Sequence, residues 1–167
     1  DVLAQQLVAM VTARPATVDL GDITARTWAY DDALPGKVIR ANAGDFLRVT
    51  LNNALPADTT IHWHGVRLRN AADGVPGVTQ DPVRSGGRFV YEFTAPDPGT
   101  HFFHPHVGAQ LDRALYAPLI IDDEVVGAIS LWRTKVEPFD ERTTTMLGAF
   151  AAQAAAEDRK PVVGRSV

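Results

Sequence analysis

Short segments of alternating apolar and polar residues fill the first three quarters of the chain. Over residues 22–30, Ile23, Ala25, Thr27 and Ala29 alternate with Thr24, Arg26, Trp28 and Tyr30. A period of two is the mark of a half-buried strand. Residues 16–20 predict another strand, set off by Gly21. Residues 38–41 predict a short one. Residues 46–52 predict a stronger one, through the β-favouring run Phe46-Leu47-Arg48-Val49-Thr50-Leu51. Residues 59–64, 88–94, the segment after Gly99 and residues 116–121 complete the set. Turn chemistry separates them: Asp31-Asp32-Ala33-Leu34-Pro35-Gly36, Asn42-Ala43-Gly44-Asp45 and Asp97-Pro98-Gly99. Residues 70–82 are rich in Gly, Pro and Asp and predict a long surface loop. No helix of ordinary length is predicted before Asp122, although residues 110–115 suit a single helical turn. The pattern predicts a mainly β fold, a Greek-key sandwich or barrel.

After Asp123 the pattern changes. Residues 125–132 predict one more strand. Asp140 is a good helix N-cap, and Glu141 stands beside the positive end of the helix dipole. Met146, Leu147, Phe150, Ala151 and Ala154 then recur at helical spacing towards Arg159. The expected organisation is an N-terminal extension over 1–13, a β domain over 14–123, and a tail over 124–167 with a strand and an α-helix. The apolar face of that helix requires a partner, on the sandwich or on another copy. Residues 2–13 are mildly apolar but contain Gln5 and Gln6 and lack a basic start, so they do not read as a signal peptide. The first residue is Asp, which leaves room for a segment upstream.

Composition narrows the function. The 167 residues are 46% hydrophobic and 22% charged, ordinary for one globular domain with a small appendage. The net charge of −4 and pI near 5.7 give no basic surplus for nucleic acid or an anionic membrane. No apolar run reaches the ~18 residues of a transmembrane helix. The chain contains no cysteine, which excludes disulfides, thiolate ligands and any copper centre built on Cys.

The chemistry is concentrated in histidine. Four of the five histidines form two His-x-His pairs, His62 with His64 and His104 with His106. In an extended chain, residues i and i+2 share a face, with Cα atoms roughly 6.5–7 Å apart. Each pair therefore projects two imidazoles together, with Trp63 and Pro105 turned the other way. Two such pairs are what a multinuclear metal site requires. Spacing alone leaves copper and zinc both open, because imidazole suits either. Asp73 has two readings: a carboxylate that offsets metal charge and shuttles protons, or a turn former ahead of Gly74. His101 lies at odd spacing from His104 and is expected to be a non-ligand. Trp63 and Phe103 are expected to pack rather than to conduct electrons.

Several motifs in order then carry a resemblance. They are Leu34-Pro35-Gly36, Ile39-Arg40, Gly44-Asp45, His62-Trp63-His64-Gly65, Asp73-Gly74-Val75-Pro76-Gly77-Val78-Thr79-Gln80, Gly99-Thr100, His104-Pro105-His106 and Leu115-Tyr116-Ala117-Pro118-Leu119-Ile120-Ile121. Together they resemble the first cupredoxin domain of multicopper oxidases, in the bacterial laccase-like and copper(I)-oxidising branch, over residues 14–123. The resemblance implies a cupredoxin-like Greek-key β-sandwich and favours copper over zinc. It implies that His62 is a type 2 copper ligand and that His64, His104 and His106 are type 3 ligands, half of a trinuclear cluster. It gives Asp73 a role in delivering protons to reduced oxygen. It implies oxidation of phenols or Cu(I) coupled to reduction of dioxygen to water.

His101 departs from the family, which usually has an aromatic there. The 167 residues also lack the later His-x-x-His-x-His and His-Cys-His segments that complete such a cluster. The expected partners are therefore dioxygen, a reducing substrate, and a second cupredoxin domain or another copy. Residues 124–159 resemble the last strand and C-terminal helix of a GAF domain. Oxidases of this type point to the cell envelope, GAF domains to the cytosol; the envelope is the expected location. The alternative function is a non-catalytic copper or zinc binder, or a truncated or fused domain with vestigial histidine pairs.

Overall fold

The computed structural model describes residues 4–19 and 24–122. They belong to the first of the two units into which the chain divides, Asp1–Glu124 and Val125–Val167. The strand expected at 125–132, the helix expected from Asp140 and the GAF-like tail lie outside the described residues.

Among the described residues, eight strands form two four-stranded sheets. They are β1 (Gln6–Asp19), β2 (Thr24–Tyr30), β3 (Ile39–Ala41), β4 (Phe46–Asn53), β5 (His62–His64), β6 (Arg88–Thr94), β7 (Gly99–His104) and β8 (Ala117–Ile121). The first sheet has the order β2-β1-β4-β6, the second β3-β8-β7-β5. The β1–β4 and β3–β8 pairs are parallel; the others are antiparallel. The architecture is mainly β, as the alternation predicts, and cupredoxin-like, as the resemblance implies. Two single turns of 3-10 helix interrupt it, at Asn70–Ala72 and Leu111–Arg113. The second falls inside the expected turn at 110–115; the first lies in the segment expected to be loop.

One core joins the sheets. Val11, Leu47, Val49, Leu51, Tyr91 and Phe93 of the first sheet pack with Ile39, Trp63, Phe103, Leu119 and Ile121 of the second. Trp63 is fully buried, with its ring 4.8 Å from Phe93 and 5.1 Å from Phe103. Trp63 and Phe103 are thus packing residues in the centre of the sandwich.

β1 departs most from the sequence reading. It starts at Gln6, so residues 6–13 are strand, not an extension, and pair with β4 from Gln6↔Phe46 to Ala13↔Asn53. The cause lies in the side chains. Val11 and Ala13 are buried and Leu7 and Ala9 pack on the core, but Val8 and Met10 on the outer face are apolar too. Alternation of orientation leaves no trace where both faces are apolar.

Truncating the central indole leaves a cavity that the strands around it cannot close. Trp63→Ala is expected to lower the unfolding free energy of the domain by about 3–5 kcal/mol, read by urea denaturation. A loss below ~1 kcal/mol contradicts this account of the core.

Candidate metal centre

The histidines meet because of one strand pairing. β5 is the edge strand of the second sheet and runs antiparallel to β7. The register sets His62 opposite His104, Trp63 opposite Phe103 and His64 opposite Phe102. Burial of Trp63 and Phe103 in the core turns their neighbours to the other face. The ring of His62 lies 5.9 Å from that of His64, 5.5 Å from His104 and 4.4 Å from His106. One ring nitrogen from each of His62, His64 and His104 falls within 4.8 Å of the others. His106 follows β7 after Pro105, and its backbone N–H donates to the buried Thr60 Oγ1 at 3.2 Å. Its ring stacks on His104 at 5.3 Å and 26°.

Backbone carbonyls orient two of the rings. A carbonyl oxygen only accepts, so a ring nitrogen bonded to one must carry its proton. His62 Nδ1 donates to the Asp73 carbonyl at 2.8 Å, and His104 Nδ1 donates to the Pro105 carbonyl at 2.9 Å. The lone pair of each is therefore on Nε2, free for a metal. His64 Nδ1 stands 3.2 Å from His104 Nε2. With the lone pair on His104, His64 Nδ1 holds the shared proton, which a cation between them would displace. Phe102 stacks on His64 at 4.4 Å and 18° and on His104 at 5.2 Å and 22°.

Asp73 reaches this group from the loop after β5. It ends the Asn70–Ala72 turn, so its turn-forming role is real. Its carboxylate Oδ1 also lies 3.3 Å from His62 Nδ1. Gly74 makes the approach feasible. It has φ of +74°, and a Cβ there would stand 1.7 Å from the Ile61 carbonyl oxygen. Ile61 is held in turn by its N–H, which donates to the buried Tyr91 Oη at 2.8 Å.

Burial and neighbouring imidazoles favour the neutral form of His104 and His106. Burial pushes the pKa of His104 down to about 4; the Pro105 carbonyl contact opposes this, and the nearby His62, His106 and His64 add to it. His106 is lowered as well, by burial first and then by His62 and His64, against the opposing pull of Asp73. A neutral imidazole is the ligand form. Three converging ring nitrogens, two of them with tautomers already set, suit a metal that accepts imidazole.

Comparison with known proteins agrees with this geometry. A family profile described as multicopper oxidase matches residues 11–125. The chain belongs to the multicopper oxidase family. It is 44% identical over 117 residues to the multicopper oxidase MmcO of Mycobacterium tuberculosis, a match that covers 70% of this chain and 23% of the relative. A multicopper oxidase structure from Pseudomonas thermotolerans superposes with a TM-score of 0.68 at 39% identity, over 71% of this chain and 30% of the other. A laccase structure from Botrytis aclada gives a TM-score of 0.69 at 33% identity, over 71% and 23%. The chain thus spans less than a quarter of the length of the curated relative. Family membership implies copper.

The structure brings together His62, His64, His104, His106 and Asp73. His101 is not among the converging residues. It belongs to β7 opposite Leu119, and its ring lies against Gly65 and Gly99. Sequence reasoning missed the carbonyls of Asp73 and Pro105, the hydroxyl of Thr60 and the ring of Phe102. Phe102 was within reach, since it stands two residues before His104 on the same strand. The carbonyl contacts depend on loop geometry and leave no mark in residue type.

The depressed pKa of His104 has a consequence for the metal-free domain. Below pH 6.5 the unfolded chain takes up a proton that the folded ring refuses until about pH 4. Stability contributed by this group is therefore intact above pH 6.5, falls between pH 6.5 and 4, and levels off below. Denaturation across that window is expected to show a shallower fall for His104→Gln than for wild type; parallel curves contradict it.

Proposed function

We propose that this domain supplies half of a trinuclear copper cluster. In this reading His62 is the type 2 ligand, and His64, His104 and His106 are type 3 ligands. The observation that carries it is the convergence of ring nitrogens from His62, His64 and His104 within 4.8 Å, in a chain of the multicopper oxidase family. Bound copper supplies the electron-accepting and dioxygen-reducing chemistry. The chain's own residues prepare for it. Asp73 and Pro105 hold His62 and His104 with Nε2 forward. The Asp73 carboxylate, exposed on one side and 3.3 Å from His62 Nδ1 on the other, is placed to accept a proton from solvent and pass it inward.

Four histidines do not satisfy three coppers, and the 167 residues contain no Cys. The remaining ligands and the entry site for electrons come from other residues, in a further cupredoxin domain or another chain. The assembled oxidase would take electrons from a phenol or Cu(I) and reduce dioxygen to water, and the cell envelope suits such an exported oxidase. In this reading none of this chemistry is assigned to the tail over 124–167.

The test is copper content of the reconstituted chain, together with oxygen uptake on a phenol. At least about one copper per chain is expected, lost in the His62→Ala, His104→Ala double variant, with no sustained turnover by the chain alone. Absence of copper in wild type, or binding of a single tetrahedral zinc in preference, returns the site to the non-catalytic alternative. Sustained phenol oxidation refutes the incompleteness of the site.

A further inference from the structure

β1 has an unsatisfied edge. The Gln5 carbonyl accepts the Phe46 N–H at 2.9 Å, and the Ala13 carbonyl accepts the Ala54 N–H at 2.8 Å. Backbone groups alternate between the two edges of a strand, so the odd-numbered residues 5–13 serve β4. Thr12 points the other way. Its N–H donates to Asp31 Oδ1 at 2.9 Å, and its carbonyl accepts the Asp31 N–H at 3.0 Å. By the same alternation Gln6, Val8 and Met10 direct their N–H and C=O groups from that second edge. β2 pairs only with residues from Ala13 to Asp19 and does not reach them. Among the described residues, no backbone or side-chain group meets them there.

This edge lacks the usual protection. Exposed edges carry lysine, proline, a bulge or an inward charge that blocks pairing with another strand. The run Gln6-Leu7-Val8-Ala9-Met10-Val11 has neither charge nor proline, and its register with β4 is unbroken. Val8 and Met10 are 68% and 63% exposed, beside Phe46 at 39% on the same sheet. An unpaired edge and an apolar outer face coincide on one six-residue segment.

We infer that this edge pairs antiparallel with the same edge of a second copy, joining the two first sheets into one continuous sheet. A second copy fits by self-complementarity. With the two-fold axis at Val8, residue 8 faces its own counterpart and residue 6 faces residue 10. Every outward N–H and C=O of the three residues then gains a partner. Val8 meets Val8, Met10 lies diagonal to it, and no like charges are brought together. The nearest charged pair on this face, Arg48 with Glu92 at 3.0 Å, is already satisfied within the sheet. The histidines stay open, because they lie at β5 on the edge of the other sheet.

Sedimentation of the full chain over a concentration series tests this, combined with amide exchange. A species of twice the 18.1 kDa chain mass is expected at high concentration. In it the amides of Gln6, Val8 and Met10 exchange slowly, and they exchange rapidly on dilution to monomer. Val8→Lys sets two ammonium groups about 5.5 Å backbone to backbone across the axis and is expected to abolish the dimer. Its unfolding midpoint should match that of wild type at concentrations where wild type is monomeric, because the side chain is exposed. A monomer at all concentrations, fast exchange of these three amides in the dimer, or a dimer that survives Val8→Lys and is lost in Phe150→Asp overturns the inference.

Discussion

The pairing of β5 with β7 is the constraint on which the site depends. Three residues on an edge strand hold little hydrogen bonding of their own. Their position is set by Trp63, fully buried against Tyr91, Phe93 and Phe103. Once the indole is locked in the core, pleating turns His62 and His64 outward. The register then sets His104 against His62. A slip of one residue would bury imidazoles and expose the indole, so the hydrophobic core specifies the metal-binding face as firmly as it specifies the fold.

Burial and neighbouring imidazoles disfavour a proton on His104 and His106, and this suits metal binding. His104 is buried, and the imidazoles of His62, His64 and His106 surround it. A proton there is disfavoured by both effects. The ring therefore stays neutral and presents its lone pair. Backbone carbonyls of Asp73 and Pro105 fix the tautomers before any ligand arrives, so little rearrangement accompanies binding. The close approach of the Asp73 loop rests on Gly74, where a side chain would collide with the Ile61 carbonyl.

Much of this was legible in the residues. Period-two alternation located β2, β4 and β6 closely; β4 and β6 each bury one face and turn the other outward. The paired histidines declared themselves through spacing. β1 was legible only in its second half, since Val8 and Met10 make its outer face apolar like its inner one. The division of labour within the site was also hidden. Residue type indicates that Asp73 has a carboxylate; only the fold reveals that its backbone carbonyl lies closer to His62 than that carboxylate does. Phe102 shares its face with His104 at two-residue spacing, but its stacking on His64 comes from a cross-strand register that no local pattern encodes.

The most direct measurement is an anomalous difference map at the copper edge from crystals of the copper-loaded chain. The account predicts density coordinated by Nε2 of His62 and of His104 and by Nδ1 of His64, with the Asp73 and Pro105 carbonyls still bonded to the opposite ring nitrogens. A map without a peak among these histidines, or with copper held by His101 or by surface carboxylates instead, would contradict it.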